Sequence, residues 1–161
     1  MSTREHFLKV FGDEKPKFIR VLKAVPADQP AYTPHPRSMS AGDIVWLLAS
    51  ELNDAAEVMD HGEVNFVIKP APGSLTDSVA AYEKNSEALS TRLEAVSDEA
   101  WEKPVKFLMD GKAVWEAPLG EMLWGFLFDA IHHRGQLSTY IRPMGGKVPS
   151  IYGPSADDPG M

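Results

Sequence analysis

Three side chains that can bind a metal or carry a proton fall inside apolar helical stripes of the sequence. Asp129 and His133 are four residues apart in the last apolar segment, so on a helix both project from one face. Glu51 follows Ile44 by seven residues and lies in the middle of the stripe of an earlier segment. A buried carboxylate is unfavourable unless a proton, a cation or an ion pair compensates it. The pattern therefore predicts a polar site inside the protein.

A divalent metal ion held by Glu51, Asp129 and His133 would compensate all three side chains. Such a set leaves positions open for water or substrate, as catalytic metal sites do. Two alternatives stay open. Asp129 and His133 are also placed to form a simple hydrogen-bonded pair, and Glu51 could lie at the end of the bundle or pair with Arg134. No residue is singled out as a general base, so the catalytic residues stay unknown.

Further polar residues follow His133 on the same helix. Gln136 and Tyr140 come one and two turns later and could orient a bound water or substrate. Arg134 could fix the surroundings of the site, but we favour a solvated side chain at this position.

The elements that must position these residues are four amphipathic helices, at about residues 3–25, 40–60, 74–96 and 118–142. Ser40 and Ser74 are suited to cap the second and third helices, and Pro16 predicts a kink or a restart of the first helix at Asp13. Alternating apolar residues around Asp110-Gly111 predict a small β-hairpin before the last helix. The chain is thus predicted to form a single all-α domain over residues 1–161, a four-helix bundle with an irregular tail from about residue 143.

Composition limits the classes of function. The chain has 161 residues and a net charge of -7, with 16 basic and 23 acidic residues and no cysteine. An acidic chain with scattered basic residues is a poor candidate for nucleic-acid binding. Without cysteine, disulfides and thiolate metal sites are excluded. No apolar run approaches the ~20 residues that span a bilayer, and the first residues lack the apolar stretch of a signal peptide, so we expect a cytoplasmic protein without a membrane partner.

At residues 129–137, Asp-Ala-Ile-His-His-Arg-Gly-Gln-Leu, the sequence resembles the DinB family of DinB/YfiT-like metalloenzymes. The resemblance extends to the helix lengths, the crossover after the first helix and the insert before the last one. It implies an up-up-down-down four-helix bundle, often a homodimer, with a divalent metal held by three histidines. Related members include metal-dependent hydrolases, thiol S-transferases and maleylpyruvate isomerases.

The chain departs from the family pattern at two positions. Asp129 replaces the first histidine of the last helix, and Leu47 occupies the position of the helix-two histidine. Glu51, one turn after Leu47, is the available substitute. One imidazole with two carboxylates suits Mn, Fe(II), Zn or Ni.

Two functions follow from these observations. The first is a metal-dependent enzyme of the hydrolase or thiol S-transferase type that acts on a small molecule. The alternative is a non-catalytic dimeric bundle whose buried polar cluster is structural or binds a ligand.

Overall fold

The computed structural model describes residues 2–71 and 73–160, so Met1, Pro72 and Met161 of the predicted domain lie outside the described residues. The protein is mostly helical. The helices are α1 (Thr3–Ala24), α2 (Ala41–His61), α3 (Leu75–Ala95), the short α4 (Asp98–Trp101) and α5 (Leu119–Ile141). Both α1 and α2 pack against α3 and α5, which places the hydrophobic core between the four long helices. The up-up-down-down order implied by the resemblance stays a prediction.

Three of the long helices begin at a serine that forms a capping box. Ser40 and Ser74 accept hydrogen bonds from the backbone of Asp43 and Asp77, which confirms both as N-caps, and Ser2 does the same for α1. Of the two alternatives at Pro16, the restart is wrong, because α1 continues through this residue, and the kink stays a prediction. Phe11 and Phe18, on either side of Pro16, are both buried in the core, so α1 packs against the bundle before and after the proline.

A small sheet accompanies the bundle, so the all-α class needs correction. The predicted hairpin is confirmed: β2 (Pro104–Met109) pairs antiparallel with β3 (Lys112–Pro118) across Asp110-Gly111, where both residues have positive φ. The sequence analysis did not predict β1 (Glu63–Phe66), which follows α2 and pairs parallel with β2. The sheet has the order β1-β2-β3, and its strands contact α2 and α5.

The tail contains no helix or strand over residues 143–160. It nevertheless packs onto the bundle: Met144 is buried, and the Tyr152 hydroxyl donates to Glu14 of α1. Asp157 accepts hydrogen bonds from the Arg142 guanidinium and from the backbone of Val148.

In the described residues no helix is both long enough and apolar enough to cross a membrane.

Candidate metal centre

Glu51, Asp129 and His133 lie together where α2 faces α5. Ligand atoms of the three side chains all lie within 4.8 Å of one another. Nε2 of His133 is 3.3 Å from Oδ2 of Asp129. Glu51 is buried and the His133 side chain is 15% exposed, whereas the Asp129 side chain is 54% exposed, so the cluster opens to solvent on the side of Asp129.

Gln136 sets the orientation of the His133 ring. Its side-chain oxygen lies 2.9 Å from Nδ1 of His133. In the tautomer with the proton on Nδ1, His133 donates a hydrogen bond to this amide oxygen. Nε2 then carries a free lone pair, which lies on the side of Asp129. Histidines that bind metals are commonly held in this way by a hydrogen bond from the other ring nitrogen. The geometry thus gives Gln136 a supporting contact to the cluster.

Glu51 is electrostatically unfavourable as an isolated carboxylate. Burial, together with the nearby carboxylates of Asp129 and Asp54, raises the pKa of Glu51 to about 9. Among the described residues, its Oε2 is the one buried side-chain nitrogen or oxygen atom that lacks a hydrogen-bond partner. A buried polar atom without a partner is rare in a native protein and calls for an explanation.

The cluster fits a divalent metal ion. Two carboxylates and one imidazole supply hard and borderline ligands, and a cation bound between them would give Oε2 of Glu51 the partner that it lacks. The exposed side of Asp129 leaves room for further ligands.

A cavity of about 400 Å³ adjoins the cluster, between α2, α5 and the sheet. Its lining contains all three cluster residues together with Leu47, Asp54, Phe66, Phe107, Met109, Trp115, Gly125 and Phe126. Most of this lining is apolar, and its charged or titratable members are Glu51, Asp54, Asp129 and His133. Cavities of this size and character are typical of small-molecule sites.

The sequence analysis missed Asp54 and the aromatic part of this lining. Asp54 follows Glu51 by three residues, a spacing that places both on one helix face, so a signal was present. Its Oδ1 accepts a hydrogen bond from Nζ of Lys69 at 2.7 Å. Phe66 lies in the unpredicted strand β1 and carried no such signal.

Tyr140 lies away from the cluster. Its hydroxyl donates to the backbone carbonyl of Met39 at 3.3 Å, and its ring packs edge-on against Tyr32. It is absent from the cavity lining, so the structure does not bring it together with His133.

The preference for a solvated Arg134 is wrong. This residue is 1% exposed, and its guanidinium donates to Oε2 of Glu14 at 2.6 Å and to the Tyr152 hydroxyl at 2.5 Å. It also lies 4.4 Å from the centre of the Phe18 ring. Arg134 therefore does not pair with Glu51, and it belongs to a second buried polar group made by α1, α5 and the tail.

The fold and the site together define a class: a mostly helical bundle with a small sheet and a carboxylate–imidazole cluster that lines a largely apolar cavity. The chain belongs to the DinB family, whose family model matches residues 1–160. No curated protein matches the sequence.

Solved structures with the same fold agree with this assignment. A DinB-like protein from Bacillus cereus ATCC 10987 has a TM-score of 0.77 at 20% identity, covering 92% of this chain and 97% of that one. The DinB-like protein YjoA from Bacillus subtilis has a TM-score of 0.69 at 21% identity, with coverages of 87% and 92%. YfiT from Bacillus subtilis, described as a probable metal-dependent hydrolase with an unusual four-helix bundle topology, has a TM-score of 0.66 at 12% identity, with coverages of 88% and 87%. At these identities the likeness shows the fold.

Proposed function

We propose that this protein is a divalent-metal-dependent enzyme, of the hydrolase or thiol S-transferase type, that acts on a small molecule. The observation that carries the proposal is Oε2 of Glu51, a buried oxygen without a hydrogen-bond partner beside Asp129 and His133. The metal would be Zn, Ni, Mn or Fe, because the donor set mixes two carboxylates with one imidazole.

Each residue of the cluster has a definite part in this proposal. Glu51 and Asp129 would hold the ion through carboxylate oxygens, and His133 would hold it through Nε2 while Gln136 fixes the ring through Nδ1. When bound, the ion would supply Lewis-acid chemistry that lowers the pKa of a water molecule or a thiol. The exposed side of Asp129 and the adjoining cavity give the substrate access to the cluster.

Two structural relatives support the choice of reaction type. YfiT is described as a probable metal-dependent hydrolase. A variant of a mycothiol-dependent maleylpyruvate isomerase shares the fold at a TM-score of 0.56 and 13% identity, and its match covers 92% of this chain and 63% of that one. Both descriptions belong to those proteins, and they suggest which reactions to assay first.

The test is metal-dependent turnover. The metal-free protein is loaded separately with Mn, Fe(II), Ni or Zn and assayed for hydrolysis of p-nitrophenyl acetate and for transfer of a small thiol to 1-chloro-2,4-dinitrobenzene. We expect turnover with at least one metal, lost in His133→Ala and kept in His132→Ala, whose side chain is exposed. Equal turnover of the metal-free and metal-loaded proteins would contradict the proposal.

A second candidate is a non-catalytic bundle that binds a ligand or uses the cluster for packing. The raised pKa of Glu51 favours it, because a protonated Glu51 needs no cation. Leu47 favours it as well, since an apolar side chain lines the cavity where the family places a histidine. Protein that takes up none of the four metals, while keeping its fold, would support this second candidate.

Two further expectations stay proposals: a cytoplasmic location and a homodimer. On the described surface, Phe128 is 63% exposed and stacks on Trp124, which gives α5 an aromatic patch that a second copy could cover. Sedimentation velocity on the wild type and on Phe128→Ser tests the dimer. A monomeric wild type would contradict it.

A further inference from the structure

A second cavity lies beside the one that adjoins the cluster, which we call the cluster cavity. The second cavity has a volume of about 690 Å³ and lies between the first half of α2 and residues 66–71, where the chain leaves β1. The side chains of Leu47 and Phe66 line both cavities. These two apolar side chains therefore form the partition between the cluster cavity and the second cavity, which we call the outer groove.

One face of α2 runs along both cavities. Asp43, Leu47 and Glu51 follow one another at intervals of four residues, so their side chains project from the same side of the helix. Asp43 lines the outer groove, Leu47 lines both cavities and Glu51 belongs to the cluster. From Asp43 to Glu51 the helix rises by about 12 Å. A single extended molecule that lies along this face would therefore reach from the cluster into the outer groove.

The outer groove is surrounded by exposed apolar side chains. Three of the seven large hydrophobic side chains that are exposed on the described surface line it, namely Met39, Val67 and Ile68. Their exposed fractions are 39%, 54% and 86%. Apolar side chains that gather around one concave surface indicate a place where an apolar group binds.

The polar side chains that line the outer groove are already bonded within the protein. The Trp46 indole N–H donates to the backbone carbonyl of Lys69 at 2.8 Å, and the Lys69 ammonium donates to Asp54 at 2.7 Å. The Ser50 hydroxyl donates to a backbone carbonyl of its own helix at 3.0 Å. The carboxylate of Asp43 accepts a hydrogen bond from the serine that caps α2. A ligand in the outer groove would therefore gain apolar contacts rather than new hydrogen bonds.

We infer that the outer groove is a second part of the substrate site and binds an unbranched alkyl or acyl chain whose polar end lies at the cluster. This inference rests on the proposed function in taking the cluster as the place where the substrate reacts. An unbranched chain matches both observations. It can extend along one helix face, and it presents no polar atom to a groove whose own polar side chains are already bonded.

The test uses two primary alcohols, 1-butanol and 1-octanol, which share the polar end and differ in chain length. The ¹⁵N-labelled protein is titrated with each alcohol. The indole N–H signal of Trp115 reports on the cluster cavity and that of Trp46 on the outer groove, assigned from Trp115→Phe and Trp46→Phe. We expect 1-octanol to bind at least about tenfold more tightly than 1-butanol, since each methylene that leaves water gains roughly fourfold in affinity.

The two indole signals also show whether one molecule occupies both cavities. 1-Octanol should shift the signals of Trp46 and Trp115 with one shared midpoint, as a single molecule that spans the partition requires. A Trp46 signal that does not respond to 1-octanol, or two signals with different midpoints, would overturn the inference.

Matched variants with the same new charge locate the chain of the ligand. Val67→Glu should weaken binding of 1-octanol by at least about threefold and leave that of 1-butanol unchanged, because a carboxylate beside an apolar chain loses water. Val114→Glu is the control, since Val114 has a similar exposed fraction of 57% and lines neither cavity. Equal binding of 1-octanol by the two variants would overturn the inference. If Val67→Glu fails to fold, Ile68→Glu repeats the test at a more exposed position.

Sedimentation velocity on the same variants tests a different occupant of the outer groove. If Val67→Glu converted a dimeric wild type into a monomer and left the affinity for 1-octanol unchanged, a second copy of the chain would cover the groove. The inference would then be wrong.

The failure of this inference and that of the proposed function are distinguishable. Binding of the alcohols is measured without turnover, on protein as purified. A shared midpoint for 1-octanol in a protein that takes up no metal would refute the proposed function alone. A protein that binds metal at the cluster but shows no response of Trp46 to 1-octanol would refute the chain-binding groove alone.

Discussion

Two glutamates buried in the same bundle have opposite surroundings. Glu14 of α1 accepts hydrogen bonds from Lys17, Arg134 and the Tyr152 hydroxyl, at 2.7, 2.6 and 2.8 Å. Burial alone would raise the pKa of Glu14, but these donors hold it below its ordinary value. For Glu51 of α2, burial and the neighbouring carboxylates of Asp129 and Asp54 act in the same direction and raise its pKa to about 9.

The comparison separates a structural ionic group from a candidate binding site. Where every oxygen has a donor, as at Glu14, the cluster needs nothing else to be stable. Where one oxygen has none, as at Glu51, the fold carries a cost that a bound cation would remove. The polar group around Glu14 and the cluster around Glu51 each include a residue of α5, and these two residues, Arg134 and His133, are adjacent in the sequence.

The largest expected effect is at the satisfied group. Arg134→Leu removes the more buried of the two cations that bond the Glu14 carboxylate, Lys17 being the other, and should lower the free energy of unfolding by about 3–5 kcal/mol. Urea unfolding measures the change. The matched control is Arg92→Leu, which removes the exposed pair with Asp60 and should cost less than about 1 kcal/mol. A loss at Arg134 no larger than that at Arg92 would show that the buried group does not stabilise the fold.

The two glutamates should respond differently to the same substitution. Glu14→Gln replaces a fully bonded carboxylate and should lower the free energy of unfolding by about 1–3 kcal/mol. Glu51→Gln in metal-free protein should cause no loss at neutral pH, because a Glu51 with a pKa of about 9 is already a neutral carboxyl group, which the amide replaces with a similar shape. Urea unfolding of both variants, stripped of metal with a chelator, makes the comparison. If both substitutions lowered the free energy of unfolding by the same amount, the proposed difference between the surroundings of Glu14 and Glu51 would be wrong.

Two glycines of α5 compare a closely packed position, Gly125 beside the cavity, with an open one, Gly135 next to Arg134. Gly125→Ala should lower the free energy of unfolding by about 1–3 kcal/mol, because the new methyl group collides with the Trp115 ring beside the cavity. Gly135→Ala, which meets no atom within 4 Å, should raise it by roughly 0.5–1 kcal/mol through helix propensity. Thermal unfolding of both variants suffices. A stabilised Gly125→Ala would mean that Trp115 does not pack on α5 as described.

The smallest expected effect is the acid dependence of stability. Because the pKa of Glu14 is lower in the folded than in the unfolded protein, its contribution is present above its ordinary value of 4.5 and is lost as the pH falls through the folded pKa. Glu14→Gln should therefore lose less stability between about pH 5 and about pH 3 than the wild type does.

Glu51 provides the control for this acid dependence. Since its pKa is raised from 4.5 to about 9, Glu51 stays protonated in the folded protein while the unfolded chain takes up its proton near pH 4.5, so Glu51 adds no acid dependence once the pH is below about 4. Below about pH 4, Glu51→Gln should therefore keep the acid slope of the wild type, measured as the urea midpoint against pH. An acid slope that flattens equally in both variants would contradict the assignment of the two pKa shifts.

The sequence predicts the parts of this protein that depend on local pattern. The four long helices follow from apolar spacing, supported at α2 and α3 by the serine caps Ser40 and Ser74, and the approach of Asp129 to His133 follows from their separation by four residues. Strand β1 was not predictable in this way, because its four residues are ordered by pairing with β2 about forty positions later.

The burial of Arg134 also lacks a local signal. Its partner Glu14 is 120 residues away in the sequence, and nothing near Arg134 indicates that the guanidinium would be enclosed. The same holds for the aromatic part of the cavity lining, since Phe66, Phe107 and Trp115 meet only once the three strands are assembled. Long-range pairing therefore decided these features, whereas Asp54 was missed although its spacing of three residues from Glu51 is a local signal.

The most direct test of the central claim is metal content. Protein purified without an affinity tag is analysed by inductively coupled plasma mass spectrometry, alongside Glu51→Ala, Asp129→Ala and His133→Ala, with the exposed His132→Ala as the control. We predict near-stoichiometric metal in the wild type and in His132→Ala, and its loss in the three cluster variants. A wild type that fails to take up added Mn, Fe, Ni or Zn, or a His133→Ala variant with unchanged metal content, would contradict the assignment of this cluster as a metal centre.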